Sequence, residues 1–262
     1  MTTHKPDAAA AKDVPPRSAG RQAVSFAKEL LIVVVGAIIV SSLLRAFVGQ
    51  MFIIPSESME NTLLEGDRVV VQKITKFDRG QVVVFEDPGG WLSDPISEPG
   101  PFDRVLEFIG LPTQSTPGHL IKRVIGLPGD RVVCCDDNGR ISVNGHPLDE
   151  SSYLYTDSDN VQINPSDVRF EVVVPADRIF VMGDHRDVSA DSRCHLSDTR
   201  SGMGKGQVAF VPIDKVVGPA FAIAAPFDRT SRLRQPSVFT EVPAPTEPAP
   251  EEAVIEPKGV SC

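Results

Sequence analysis

Ser56 and Ser58 stand two residues apart in a Pro-opened segment, Ile54-Pro55-Ser56-Glu57-Ser58-Met59-Glu60-Asn61-Thr62-Leu63-Leu64-Glu65-Gly66-Asp67. A serine hydroxyl is a weak nucleophile until a base is fixed beside it. The segment His119-Leu120-Ile121-Lys122-Arg123-Val124-Ile125-Gly126-Leu127-Pro128-Gly129-Asp130 offers one. Period-two alternation sets Leu120, Lys122 and Val124 on one strand face and Ile121, Arg123 and Ile125 on the other. Each face thus carries one cation among apolar neighbours. On a surface strand such a lysine snorkels to water. In an apolar pocket, desolvation draws its pKa from about 10.4 toward neutrality, and the neutral amine is then a competent general base.

A third segment runs Met182-Gly183-Asp184-His185-Arg186-Asp187-Val188-Ser189-Ala190-Asp191-Ser192-Arg193. It follows a strand and crowds Asp–Arg pairs around two serines. Its composition suits a solvated loop, where surface ion pairs contribute little, or a polar brace that orients a base. His185 admits a Ser-His-Asp arrangement with Asp184, Asp187 or Asp191 as third member. His119 and His195 read as ordinary polar residues.

The elements that must position these groups are short. Strand-like, β-branched runs recur at residues 68–74, 81–85, 120–125, 131–134, 169–174, 178–182 and 207–211. Turn signals such as Asp78-Arg79-Gly80, Pro128-Gly129-Asp130 and Asp137-Asn138-Gly139 bound them. Asn144-Gly145 reads as a hairpin turn between Ile141-Ser142-Val143 and His146-Pro147-Leu148. The fold class expected is mainly β, a folded β-barrel or sandwich-like assembly. Six prolines interrupt residues 86–119, where Phe102, Val105, Leu106 and Ile109 fall at helical spacing and suggest a short amphipathic helix in an insertion.

Ahead of this domain lies the apolar run Leu30–Leu44, resuming past Arg45. With the arginine stem extended and its charge at the interface, residues 29–48 are long enough to cross a bilayer. A cleavable secretory signal is the competing reading. It lacks a small-x-small site after Leu44, where Arg45 and Phe47 stand. Lys5, Lys12, Arg17, Arg21 and Lys28 precede the run, which puts the N-terminus in the cytoplasm and everything after residue 50 outside. Residues 1–28 and the Pro- and Glu-rich residues 226–262 read as disordered tails. The domains expected are therefore a tail (1–28), an anchor (29–48), a catalytic β-domain (49–225) and a second tail (226–262).

Composition excludes some functions. A net charge of −9 over 262 residues, 6% aromatics and a single tryptophan, Trp91, speak against a nucleic-acid partner. Hydrophobic content of 41% and charged content of 23% are those of an ordinary globular protein. No Cys-x-x-Cys spacing or Gly-rich phosphate loop occurs, so neither metal nor cofactor is expected. Cys134, Cys135 and Cys194 fall in the outward domain, where oxidation is favoured. A bridge from Cys134 or Cys135 to Cys194 and free buried thiols both remain open readings, while a bond between the two neighbours is disfavoured.

These three segments, in this order behind an anchor, resemble bacterial type I signal peptidase, a membrane-bound Ser-Lys endopeptidase. Pro55–Leu63 matches that family's serine box except at Asn61, Ile121–Asp130 its lysine box, and Gly183–Arg193 its Gly-Asp box. Arg79-Gly80-Gln81-Val82-Val83-Val84-Phe85 gives a weaker strand motif. The resemblance implies Ser58 as nucleophile, Lys122 as general base, and an oxyanion hole from the Ser58 amide and the Ser56 hydroxyl. It implies that Ser189 hydrogen-bonds and orients the lysine amine, that Asp191 and Arg193 pair to hold the loop, and that Gly183 permits close packing. It further implies cleavage of signal peptides from exported preproteins after small residues, Ala-x-Ala, at the outer surface of the cytoplasmic membrane near the secretion translocon. Asn61, where proline is usual, and His185 and Val188, where asparagine is common, depart from the pattern. Two rival readings share the same residues: a self-cleaving Ser-Lys peptidase of the repressor type, and an anchored, non-catalytic domain that binds presequences.

Overall fold

A computed structural model describes residues 19–47, 49–92, 118–257 and 262. The chain divides into two units, Met1–Ser41 and Ser42–Cys262, taken separately here. The helix α1 spans Ala19–Phe47. It starts ten residues before the expected anchor, since no proline falls between Ala19 and Lys28 to stop it. Within it, Val24–Ser41 is long and apolar enough to cross a membrane, and none of these residues is buried within the protein.

Thirteen strands are found among the described residues: Gly49–Ile53 (β1), Arg68–Gln72 (β2), Val82–Glu86 (β3), His119–Gly126 (β4), Arg131–Cys134 (β5), Ile141–Val143 (β6), His146–Pro147 (β7), Phe170–Val173 (β8), Arg178–Met182 (β9), Val211–Pro212 (β10), Val216–Ala225 (β11), Ser231–Arg232 (β12) and Val254–Glu256 (β13). All pairs are antiparallel. One sheet runs β1-β2-β11-β3-β4-β9-β10 with β12 on β11, and the other runs β13-β8-β5-β6-β7. The fold is mainly β, in two sheets whose strand orders have free ends, with no closed barrel among the described residues. Asn144 and Gly145 both take positive φ, 52° and 78°, and join β6 to β7 as the sequence predicts.

Strand β4 is the element on which the site depends. Its side chains enter three different apolar clusters: Ile121 packs with Phe52, Met59, Leu63 and Val71, Val124 with Val83, Phe85 and Val181, and Ile125 with Val132, Phe170 and Phe180. Both faces are therefore covered. Lys122 and Arg123 are only 3% and 2% exposed, which excludes a surface strand with a snorkelling lysine. The serine loop leaves β1 and enters β2. Its ends are closed by Ile54 N–H to Asp67 O and Gly66 N–H to Ile54 O, both 2.9 Å, and its middle is pinned by the fully buried Met59 and Leu63.

Several expectations are corrected. Residues 226–257 are an ordered part of the fold. Strand β13 pairs with β8, and Phe239, Val242 and Ile255 fill the same cluster as Phe170 and Phe180. Arg229 makes a two-pronged ion pair with Asp67 at the foot of the serine loop. Prolines rigidify this stretch, and a few spaced apolar side chains are enough to fasten it. Residues 207–211 do not form one strand: Gly206, left-handed at φ 76°, opens a 3-10 turn over Gln207–Ala209 before β10. Strand β11 escapes a sequence reading because Gly218 and Pro219 interrupt it; the structure accommodates them at a register shift against β3. Cys134 bonds Cys135, and Cys194 bonds Cys262, so neither bridge runs from Cys134 or Cys135 to Cys194. Most of the expected insertion helix, with Phe102, Val105, Leu106 and Ile109, lies outside the described residues, as does the N-terminal tail through residue 18.

Candidate active site

A 3-10 turn at Glu57–Met59 carries Ser58 and points it inward, while Ser56 stays exposed at the turn's entrance. Lys122 reaches across from β4. Its Nζ donates to Ser58 Oγ at 2.6 Å and to the Ile121 carbonyl at 3.0 Å. Ser56 Oγ lies 3.3 Å from Ser58 Oγ. Burial pushes the Lys122 amine down to about 8. The carboxylates of Asp191 and Asp184 pull it upward and Arg193 pulls it downward, and the balance leaves desolvation in command. Each of those carboxylates has its own guanidinium partner, which limits its pull on the lysine.

Asp184 receives both prongs of Arg123 and the hydroxyl of Thr62. Arg123 also donates to the Gly80 carbonyl at 2.6 Å and lies 4.3 Å from the centre of the Tyr153 ring. Asp191 binds Arg193 through both oxygens at 2.9 Å and accepts the Gly183 amide at 2.9 Å. Burial alone would raise the Asp191 carboxyl; Arg193 and the Gly183 amide outweigh that and hold it below its ordinary value. Arg193 extends to the Arg186 carbonyl at 2.8 Å. Arg186 in turn pairs with the buried Glu150, which also accepts the Tyr153 hydroxyl. The loop is a buried lattice of charge-assisted bonds, unlike a solvated loop of surface pairs.

Gly183 has no room for a side chain: a Cβ there would overlap both Ser189 Oγ and the Ser58 carbonyl oxygen. Ser189 is buried, and its hydroxyl makes no hydrogen bond with any described residue. The expected bond from Ser189 to the lysine amine is not formed; the amine is turned instead toward Ser58 and its own strand's carbonyl. His185 does not assemble a triad. Its Nδ1 meets Glu60 at 3.1 Å and its ring stacks on Tyr155, while Asp184 and Asp191 are taken by arginines. His119 stacks loosely on Phe52, and His195 stacks on Trp91 while bonding Asp198.

Sequence reasoning passed over Glu150, Tyr153 and Thr62. Glu150 and Tyr153 lie outside the three segments, and nothing in the sequence marks that carboxylate as buried. An apolar slot of about 20 Å³ lies between Phe52–Pro55 and His119–Ile121, at the serine turn. A larger cleft, about 370 Å³, runs past Asn61, Arg123 and Tyr153 to Phe221 and Arg234 without Ser58 or Lys122 in its wall. The slot's wall does not include Ser58 or Lys122 either, but it is formed in part by their near chain neighbours Pro55 and Ile121.

A buried serine hydroxyl on a pinned turn, held against a neutralisable amine on a buried strand, supplies what a serine peptidase needs. The model of the signal peptidase, peptidase S26 family matches residues 27–225. The signal peptidase I of Mycobacterium tuberculosis is 34% identical over 255 residues, covering 87% of this chain and 81% of that protein. A probable signal peptidase I of Mycobacterium leprae is 35% identical over 225 residues, covering 77% of each. A probable signal peptidase I-1 of Synechocystis is 32% identical, covering 84% of this chain and 92% of that protein. A crystal structure of a signal peptidase I from Enterococcus faecalis superposes with a TM-score of 0.31 at 22% identity, over 56% of this chain and 97% of that one, too loosely to bear on the argument. The chain belongs to the signal peptidase, peptidase S26 family: it is a serine peptidase, a hydrolase whose family cleaves signal peptides.

Proposed function

We propose that Ser58 and Lys122 cleave the peptide bond as a nucleophile and general base. The observation that carries this is the 2.6 Å contact between Lys122 Nζ and Ser58 Oγ inside a buried setting that lowers the amine to about 8. Neutral Lys122 takes the Ser58 proton as Oγ attacks the scissile carbonyl. Lys122 then gives the proton to the leaving amine, and an ester joins the new carboxyl terminus to Ser58. Water enters, Lys122 takes its proton as the water oxygen attacks the ester carbonyl, and Lys122 returns that proton to Ser58 Oγ as the ester bond breaks. The Ser58 amide and the Ser56 hydroxyl stabilise the oxyanion, donors of a kind that contribute on the order of 10²–10³ in rate. Asp191, Arg193 and Gly183 support the lysine's surroundings. Ser189 does so by packing against Gly183 rather than by bonding the amine.

Substrates are preproteins with small residues at −1 and −3. A small apolar slot beside Pro55 and Ile121, chain neighbours of Ser56 and Lys122, supports this. The apolar Val24–Ser41 stretch supports a single membrane anchor. With basic residues before it, the N-terminus is cytoplasmic and residues 49 onward lie outside, at the membrane surface and near the translocon, where signal peptides emerge. The test is cleavage of an Ala-x-Ala presequence peptide by the purified protein. Ser58→Ala and Lys122→Ala should each remove cleavage while the protein stays folded; sustained cleavage by Lys122→Ala would overturn the assigned base.

A further inference from the structure

Two residues singled out in the sequence have no part in this chemistry, yet both close on the nucleophile turn. Asn61 sits at φ 79°, a left-handed position open to asparagine and glycine and closed to proline, whose ring fixes φ near −65°. From there its Nδ2 donates to the Leu154 carbonyl at 3.0 Å. On the other side of the turn, the His185 amide donates to the Ser58 carbonyl at 3.1 Å. The His185 ring is itself held twice. Nδ1 lies 3.1 Å from Glu60 Oε2, and a carboxylate can only accept, so Nδ1 carries the proton. The ring face lies 3.8 Å from that of Tyr155, nearly parallel at 19°. Tyr155 N–H donates to the Asp184 carbonyl at 3.2 Å. Both tethers therefore end on adjacent residues, Leu154 and Tyr155.

We propose that Asn61 and His185 are positioning residues, a two-sided clasp that locks the serine turn to the Leu154–Tyr155 segment and thereby aims Ser58 Oγ at Lys122. This rests on Ser58 being the nucleophile. The turn is otherwise held by the buried Met59 and Leu63 and by Thr62, whose hydroxyl donates to Asp184. Its internal bonds, Glu60 N–H to Glu57 O and Leu63 N–H to Met59 O, shape the turn but do not fix it to the rest of the domain. Beside the His185 amide on the Ser58 carbonyl, the His185 ring ties Glu60, two residues after Ser58, to Tyr155, and the Asn61 side chain ties the next residue to Leu154. Neither touches Lys122, so the clasp governs where the hydroxyl points and leaves the base's titration alone. The left-handed backbone at Asn61 also explains how the turn does without the proline usual there.

The experiment compares single-turnover cleavage of an Ala-x-Ala presequence peptide by the full-length protein and by Asn61→Gly, His185→Ala, His185→Asn and the double variant Asn61→Gly/His185→Ala, with Ser58→Ala as reference. Asn61→Gly keeps the backbone conformation and removes only the tether. All are assayed at a temperature where circular dichroism shows them folded. Each of Asn61→Gly and His185→Ala should slow cleavage on the order of ten- to a hundredfold, with KM and the midpoint of the pH profile unchanged. His185→Asn, whose amide can stand where Nδ1 stands, should regain most of the rate. Because both tethers meet at one segment, the double variant should lose less than the product of the two. Wild-type rates in both single variants, losses that multiply, or a displaced pH midpoint would overturn the clasp. If Ser58→Ala is inactive while the clasp variants run at full rate, only the clasp fails. If Ser58→Ala still cleaves, the clasp and the assigned nucleophile fall together.

Discussion

At the scale of single residues, the buried Lys122 carries a cost in stability. Its pKa is about 8 in the folded protein against 10.5 for the free side chain. Below pH 8 both folded and unfolded chains carry the charge, and the folded one carries it without water. Between pH 8 and 10.5 the unfolded chain binds more protons, so stability rises with pH across that window. The penalty at low pH is on the order of 3 kcal/mol. Lys122→Met should therefore abolish cleavage yet raise the melting temperature at pH 6 to 7, with the gain fading above pH 10. Thermal melts of the two proteins across that range check it; a destabilised Lys122→Met at pH 6 would count against a desolvated amine. That Lys122 sits buried beside Ser58 was legible from residue type, flanking apolar residues and resemblance. The turn's left-handed Asn61 was not, because a φ value set by packing leaves no trace in spacing.

At the scale of elements, β4 works because three apolar clusters converge on it, and the loop after β9 works because Gly183 lets it close. Gly183→Ala forces a methyl into Ser189 Oγ and the Ser58 carbonyl. Overpacking of this kind costs about 1–3 kcal/mol. The same movement displaces the serine, so cleavage should drop at least about a hundredfold; a Gly183→Ala protein with normal rate and stability would refute the close packing. The strands with alternating β-branched residues were readable in advance. Strand β11 was not, since Gly218 and Pro219 disguise a central strand as a turn. The 3-10 turn at 207–209 was likewise hidden, because Val208 and Phe210 pack inward whether the backbone is extended or coiled.

At the scale of the whole molecule, composition misled at one end and informed at the other. Residues 226–257 look like a flexible tail by their prolines and glutamates, yet Phe239, Val242 and Ile255 are buried. Each buried side chain of that size stabilises by about 1.5–3 kcal/mol. Deleting residues 237–262 should therefore remove at least about 4 kcal/mol, as denaturant unfolding would show; unchanged stability would restore the tail reading. The apolar N-terminal run was legible because length and hydropathy alone define such a helix. Val24–Ser41 buries nothing within the protein, whereas the strands, clusters and site all lie in residues 42–262. A chain starting at residue 42 should fold and cleave peptide in solution but should not sediment with membranes.

The central claim is that a neutral Lys122 activates Ser58, and the rate of acylation as a function of pH tests it most directly. With an Ala-x-Ala presequence peptide under single-turnover conditions, the rate should rise with pH to a plateau with a midpoint near 8, and Lys122→Met should show no such rise. A wild-type rate that stays flat from pH 6 to 10, or the same midpoint surviving in an active Lys122→Met protein, would contradict it.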